Sequence, residues 1–272
     1  MKSNKVNIEK NGDLVYVTFP KLLKSGAVRH IFSTRAGGVS SGIYSSMNLS
    51  FRNGDERKNV CENYEILCGA VGIDVNNLVL TRQTHTDNVL CVNKSHCGTG
   101  YSKPSFEDID GLITNESGVA LVTQFADCTP LLFCDPKKKV IANSHSGWRG
   151  TAKQIGKVTV EKMVKLYGCN PADIIAAIGP CIGKCCYEVD ETVYSEFEKS
   201  GLLSDGVFTE KPNGKYMLDL RLANKNILLS SGIKEENIDI ADICTCCNAD
   251  MLHSHRATSG KRGNLAAIIE LI

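Results

Sequence analysis

The chain has 272 residues, 31 Lys+Arg against 30 Asp+Glu, 42% hydrophobic and 22% charged residues. That is enough polypeptide to bury a sizeable core, and the composition excludes disordered and collagen-like classes. The balanced charge supplies no basic field to attract nucleic acid or an anionic membrane, and the 13 cysteines fall below the roughly 8–10% of a disulfide scaffold, their odd count leaving an unpaired thiol.

The polar start Met1-Lys2-Ser3-Asn4-Lys5 is not that of a secretory signal, and no apolar run approaches the roughly 18 residues of a membrane span. Cytoplasmic residence with free thiols is the expectation. Apolar runs predict strands over 14–19 and 28–33. Val60, Tyr64, Leu67 and Val71 keep one helical face, with Cys61 and Cys68 beside it as small buried hydrophobes. Leu78-Val79-Leu80 then runs into Arg82-Gln83-Thr84-His85-Thr86, which puts His85 at a strand end. Residues 93–108 read as a loop with His96 exposed in it, whereas His30 sits inside an apolar strand pattern as a core residue.

Strands follow over 119–124, 129–135 and 140–145, then a helix on the face Val160, Met163, Val164 and Tyr167, ended by Gly168 and Pro171. A strand over 174–178, a loop over 204–215 containing Gly206, Pro212 and Gly214, and strands over 240–244 and 265–272 complete the chain. No internal repeat is present. The mixed order predicts an α+β fold, one layered domain over 1–272 with mixed sheets and flanking helices.

The chemistry concentrates between Ala126-Asp127-Cys128-Thr129-Pro130 and Ser144-His145-Ser146-Gly147-Trp148-Arg149-Gly150. If Pro136-Lys137-Lys138-Lys139 is the turn of a hairpin, Asp135 faces Val140 and Pro130 faces His145. Residues two apart share a strand face, so Cys128 and His145 become diagonal neighbours about 7–8 Å or less apart. A thiolate and an imidazole brought together suit a metal or a Cys–His nucleophile pair. Asp127 is an acid beside the thiol, and a helix opening at about Thr151, with Arg149 nearby, could hold an anion. His85 competes for a third ligand position. Cys244, Cys246 and Cys247 before His253 and His255 lack the two separated ligand pairs of standard zinc modules, which leaves a second metal or redox site open.

Gln83-Thr84-His85, Ala126-Asp127-Cys128-Thr129-Pro130, His145-Ser146-Gly147-Trp148-Arg149-Gly150 and Ile178-Gly179-Pro180-Cys181-Ile182-Gly183 resemble the signatures of the YfiH/YlmD-like family. So do Phe32-Ser33-Thr34-Arg35-Ala36-Gly37-Gly38-Val39-Ser40 and Ser254-His255-Arg256, and the matches run in order from about Phe32 to Ile269. This family, first labelled a multicopper polyphenol oxidoreductase or laccase domain, is now described as purine nucleoside phosphorylase with adenosine deaminase activity. The resemblance implies the YfiH-like cysteine-hydrolase type of fold and one zinc held by His85, Cys128 and His145. Departures are Thr86 where many members have Gly, Ser146 where Ala is usual, and His253 where an aromatic is common.

On that resemblance the expected substrates are purine nucleosides and phosphate. Zinc would activate water for attack at purine C6, and phosphorolysis would need anion clamps and a proton for the departing base. Arg35 and Arg149 are the candidate phosphate clamps, Asn48 and Gln83 the polar contacts to ribose or phosphate, and Asp127, Cys128 and His145 the catalytic set. Two alternatives use the same residues. A copper-dependent polyphenol oxidase meets a counting problem, since six histidines cannot furnish a full multicopper set; copper at the Cys–His site is the remaining form of that reading. An amidase-like hydrolase of a peptidoglycan precursor would use Cys128 as nucleophile and His145 as base. Neither the preferred nucleoside nor the oligomeric state is encoded legibly.

Overall fold

Strands that are apolar on both faces need cover on both sides, and the chain provides it by stacking helix, sheet, sheet and helices. The computed structural model describes residues 1–272. The first sheet has seven strands in the spatial order Asn7–Asn11, Leu14–Thr18, Val28–Ser33, Leu265–Leu271, Ala120–Phe125, Leu78–Arg82 and Phe106–Glu107. The second has six, ordered Ile238–Ile240, Ile175–Ile178, Thr129–Asp135, Val140–Ser146, Gly111–Thr114 and Val89–Cys91. A small sheet of Glu188–Val189, Tyr216–Leu218 and Phe208–Glu210 stands apart. Both large sheets mix parallel and antiparallel pairings, as the α+β expectation requires.

Alternation sorts each strand between two cores. Leu121, Leu265, Ala267 and Ile269 of the first sheet share one apolar cluster with Leu132, Cys134, Ile141 and Ala177 of the second. Their neighbours face outward: Ile31, Ala120, Val122 and Ile268 pack under Val60, Tyr64 and Leu67 of the helix Arg57–Gly69. On the other side Leu131, Phe133, Ala142 and Ile178 pack under the helices Ile155–Tyr167 and Leu220–Ser230. Each fully buried Leu, Ile or Phe is worth about 1.5–3 kcal/mol against exposure, so the two sheets are held by many such side chains. One polar pin crosses between them. The Asn143 amide donates to the Leu121 and Ala267 carbonyls at 2.9 Å each and accepts from the Thr123 hydroxyl, which leaves no buried amide group unpaired.

The hairpin forms in the expected register, with Asp135 opposite Val140 and Pro130 opposite His145. Its turn is built by Asp135, whose carboxylate accepts the Lys137 and Lys138 backbone N–H at 2.9 and 3.0 Å. His30 is buried as expected: its Nε2 accepts the Phe19 N–H at 2.8 Å and its ring stacks on Phe19.

Several boundaries differ from the sequence reading. The short helix after the hairpin spans Trp148–Ala152 and so opens three residues before Thr151, because Gly147 is its extended N-cap. The longer helix starts at Ile155 after Gln154 adopts a left-handed backbone, φ 57°. Val164 is 38% exposed, so the buried face of that helix runs through Val160 and Met163 instead. Residues 204–215 contain the strand Phe208–Glu210, and the expected strand over 240–244 ends at Ile240. His96 is half-buried against Phe106, its Nδ1 accepting the Asn93 N–H. The strands Asn7–Asn11, Val89–Cys91 and Gly111–Thr114 escaped the reading, being polar in the first case and too short to show a period in the others. No helix is long and apolar enough to cross a membrane.

Candidate metal centre and cleft

Three chain segments converge where the two sheets meet. His85 follows the end of Leu78–Arg82 in the first sheet, with a left-handed backbone at φ 66°. Cys128 sits in the connection from Ala120–Phe125 to Thr129–Asp135, which passes from one sheet to the other. Asp127 makes that passage with φ 88°, an uncommon value for a non-glycine residue. His145 projects from Val140–Ser146 in the second sheet, diagonal to Cys128 across the hairpin.

The donor atoms of His85, Cys128 and His145 all lie within 4.8 Å of one another. Cys128 Sγ is 3.7 Å from His85 Nε2, close to the about 3.6 Å that tetrahedral bonds of about 2.3 Å to sulfur and 2.1 Å to nitrogen would subtend. Gly147 leaves the room: a Cβ there would meet His85 Cδ2 at 2.6 Å and Cys128 Sγ at 3.0 Å. The donor set therefore fits one borderline-soft divalent ion.

Asp110 is the residue the sequence reading missed. Fully buried, its carboxylate accepts His145 Nδ1–H at 2.8 Å, the backbone N–H groups of Thr84, His85 and Thr86 at 3.1, 3.1 and 2.8 Å, and the Thr86 hydroxyl at 2.8 Å. Its carbonyl also accepts the His145 N–H at 2.7 Å. One carboxylate thus fixes both the loop carrying His85 and the tautomer of His145, leaving His145 Nε2 for a metal. Thr86, the departure from the family pattern, contributes its hydroxyl here. Burial opposes the ionisation of Asp110, but the bonds from His145 and Thr86 prevail and hold it down at about 2. Burial likewise opposes a charged Cys128, yet the adjacent His145 and His85 bring the thiol down to about 6. His145 moves the other way, to about 9, because Cys128 and Asp110 outweigh its burial. Cys128 is thus poised as a thiolate, the form in which sulfur binds metal or attacks.

His85, Cys128 and His145 lie in a cleft of about 510 Å³ lined by polar and aromatic groups, among them Arg52, Gln83, Trp148, Tyr187, Arg256 and Arg262. Of the expected substrate contacts, Gln83 lines it, with its amide tied to the Gln124 backbone at both ends. Asp127 lines it too, accepting from the Thr245 hydroxyl at 2.6 Å and the Arg256 N–H at 2.7 Å.

Arg35, Asn48 and Arg149 are not among the lining residues. The Arg35 guanidinium donates to the Ser45 and Ala249 carbonyls. Asn48 is fully buried and bonds Ser50, Asp55 and the Asn264 N–H. Arg149 is exposed and lies over the Trp148 ring at 4.2 Å. The guanidinium groups in the cleft come instead from Arg52, Arg256 and Arg262. Arg256 was visible within the Ser254-His255-Arg256 motif; Arg52 and Arg262, which reach the cleft, and Asp110, which reaches His145 from behind it, had no local signal, because tertiary folding brings them there.

The Cys244, Cys246, Cys247, His253 and His255 grouping does not close on itself. Cys244 and Cys247 meet Cys185 and Cys186, His255 is exposed at the cleft, and His253 is buried with its Nε2 unpartnered. Burial, reinforced by Arg35 and Arg262, holds His253 down at about 3.

The sequence model of the family described as "Multi-copper polyphenol oxidoreductase laccase" matches residues 29–272. Purine nucleoside phosphorylase YlmD of Bacillus subtilis (strain 168) is 35% identical over 240 residues, 88% of this chain and 86% of the relative. Adenosine deaminase RL5, from an unknown prokaryotic organism, is 33% identical over 229 residues, 83% of this chain and 87% of the relative. The crystal structure of the Bacillus licheniformis hypothetical protein YfiH superposes with a TM-score of 0.93 at 30% identity, covering 99% of this chain and 100% of the other.

Proposed function

Since the chain belongs to the multi-copper polyphenol oxidoreductase laccase family, in which its relatives include a purine nucleoside phosphorylase and an adenosine deaminase, we propose that it is a purine nucleoside phosphorylase with adenosine deaminase activity. The observation that carries this reading is the His85–Cys128–His145 donor set in a cleft that also presents three arginines. A zinc ion held by those three residues would supply Lewis-acid and water-activating chemistry. Three protein ligands beside an open cleft would suit a catalytic ion, which needs a position free for water or substrate.

The remaining roles fall to the chain's own groups. Phosphate must be held against the ribose, and Arg262 is the best placed clamp. Its side chain lines the cleft; its Nη1 donates to the Gly263 carbonyl and Asn264 Oδ1, and its buried Nε has no partner. Burial lowers the Arg262 pKa, while Asp127 and Cys128 act to raise it. Guanidinium binds phosphate bidentately, and Arg52 and Arg256 add charge around the same space. Tyr187 and Trp148 offer the flat apolar faces a purine needs. Both carboxylate oxygens of Asp127 are taken by Thr245 and Arg256. It therefore acts as a positioning residue that holds the turn bearing Cys128.

A second reading has its own observation. Asp110, His145 and Cys128 line up as orienting acid, base and poised thiol, the arrangement of a cysteine hydrolase. An oxidase finds less support: of six histidines, His30 and His96 are committed to backbone N–H groups and His253 is buried away from the cleft lining.

Incubation of metal-quantified protein with adenosine, with and without phosphate, tests the proposal. Free adenine with ribose 1-phosphate, or inosine, is expected, and chelation should abolish both. Normal folding and bound zinc with neither product would overturn it. Activity that survives chelation but not alkylation of Cys128 would favour the hydrolase.

A further inference from the structure

Four cysteines outside the cleft meet at one point. Cys185 and Cys186 lie on the loop after Gly183, and Cys244 and Cys247 on the loop after the strand Ile238–Ile240. Their sulfur atoms all lie within 4.8 Å of one another, with Cys247 at 3.4 Å from both Cys185 and Cys186. Packing does not account for the group, because Cys185 and Cys247 are exposed and an exposed thiol gains nothing as a small hydrophobe. Tetrahedral metal–sulfur bonds of about 2.3 Å place sulfur atoms about 3.8 Å apart, inside the observed spread. Cys244 is also equipped to be a thiolate: the backbone N–H groups of Gly183 and Cys247 point at its sulfur, at 3.1 and 3.5 Å.

We infer that Cys185, Cys186, Cys244 and Cys247 form a second, structural zinc site, separate from the His85–Cys128–His145 centre. Four thiolates with no open position make a closed site, which suits a structural ion and leaves no coordination site for a substrate. On binding, each thiol gives up its proton to solvent and its sulfur ligates the ion. The consequence is mechanical. Beyond the sulfur atoms, the two loops meet through one parallel bridge between Cys181 and Cys244, with Thr245 N–H donating to the Cys181 carbonyl at 3.0 Å, and through the apolar cluster that Ile182 and Cys244 share. Both loops also hold the cleft: Ile182 N–H donates to the Asp127 carbonyl at 2.9 Å and the Thr245 hydroxyl to the Asp127 carboxylate. Arg256 donates to the Cys186 and Glu188 carbonyls at 3.1 and 3.0 Å. The ion ties this wall of the cleft into one piece.

The test uses the full chain purified under reducing conditions. Elemental analysis should find about two zinc ions per chain in the native protein and about one in C185S/C247S, with the remaining ion lost on His85→Asn. A C246S control should keep both. Cobalt titration of the metal-free native protein gives a readout that does not need the variant to fold: two phases are expected, one with the stronger sulfur-to-cobalt charge-transfer absorption of four thiolates. Saturation after one equivalent with a single-thiolate spectrum would overturn the inference. So would metal content unchanged by C185S/C247S, or an intact mass showing a disulfide among these four residues in place of an ion.

Discussion

Asp110 reaches His145 and the loop carrying His85 at once, with a 2.8 Å bond to His145 Nδ1 and further bonds to the N–H groups of Thr84, His85 and Thr86. In Asp110→Asn the amide can still face His145, but its –NH2 would confront backbone donors and the charge is gone. Metal affinity should fall about 10–100-fold while far-ultraviolet circular dichroism stays native. Competition with a chelating dye measures this; unchanged affinity would mean that the strand alone orients His145.

Gly147 has an ordinary φ of −71°, so its need is for space and not for backbone freedom. Gly147→Ala would push its Cβ into His85 and Cys128. Overpacking of this kind costs about 1–3 kcal/mol, and displaced ligands should also lower zinc occupancy. Both are read together by thermal melting and metal analysis. A variant with native melting and full zinc would show that the loop yields without cost.

Arg262 separates the two proposed activities. Arg262→Ala should raise KM for phosphate at least about tenfold, the loss of one charge-assisted hydrogen bond, and leave deamination of adenosine within a few-fold. Equal loss of both activities would show that Arg262 serves the nucleoside or the fold, not phosphate.

His30 makes stability depend on acid. Burial holds its pKa at about 4, against 6.5 for the free side chain. Above 6.5 both folded and unfolded states carry it neutral, and its contribution is complete. As pH falls from 6.5 to about 4 the unfolded chain takes up the proton first, so stability declines by up to about 3 kcal/mol and then levels off for this group. Urea midpoints across that window should fall less steeply in His30→Gln, whose side chain can still accept the Phe19 N–H. An unaltered slope would place the acid sensitivity elsewhere, for example at His253.

How much of this was legible follows the range over which each signal acts. The hairpin between Thr129–Asp135 and Val140–Ser146 could be registered residue by residue, because its turn is local and a slip would swap every side chain between the two cores. That register delivered Cys128 beside His145. His85 was placed at a strand end but joined the pair only by resemblance. Asp110 and Arg262 stand in segments with no period and act on residues far along the chain. Arg35, from a motif, and Asn48, a polar candidate outside the motifs, bond loop backbone and the Asp55 carboxylate, which a sequence does not distinguish from contacts to a ligand. The cysteine cluster was half visible: Cys244 and Cys247 stood out, but Cys185 and Cys186 complete it from a loop about sixty residues away, a distance that only folding closes.

The ligands of the first centre come from both sheets, with Cys128 on the connection between them. Such a site does not exist until the sheets have docked, so metal capture belongs to the end of folding and cannot nucleate it. The core that Leu121, Ile269, Leu132 and Ile141 build, with the Asn143 pin across it, is assembled without any metal ligand. A chain made where zinc is scarce should therefore still dock its two sheets and load this centre afterwards. In a refolding time course, metal uptake would lag the recovery of secondary structure and mark the moment the two halves close.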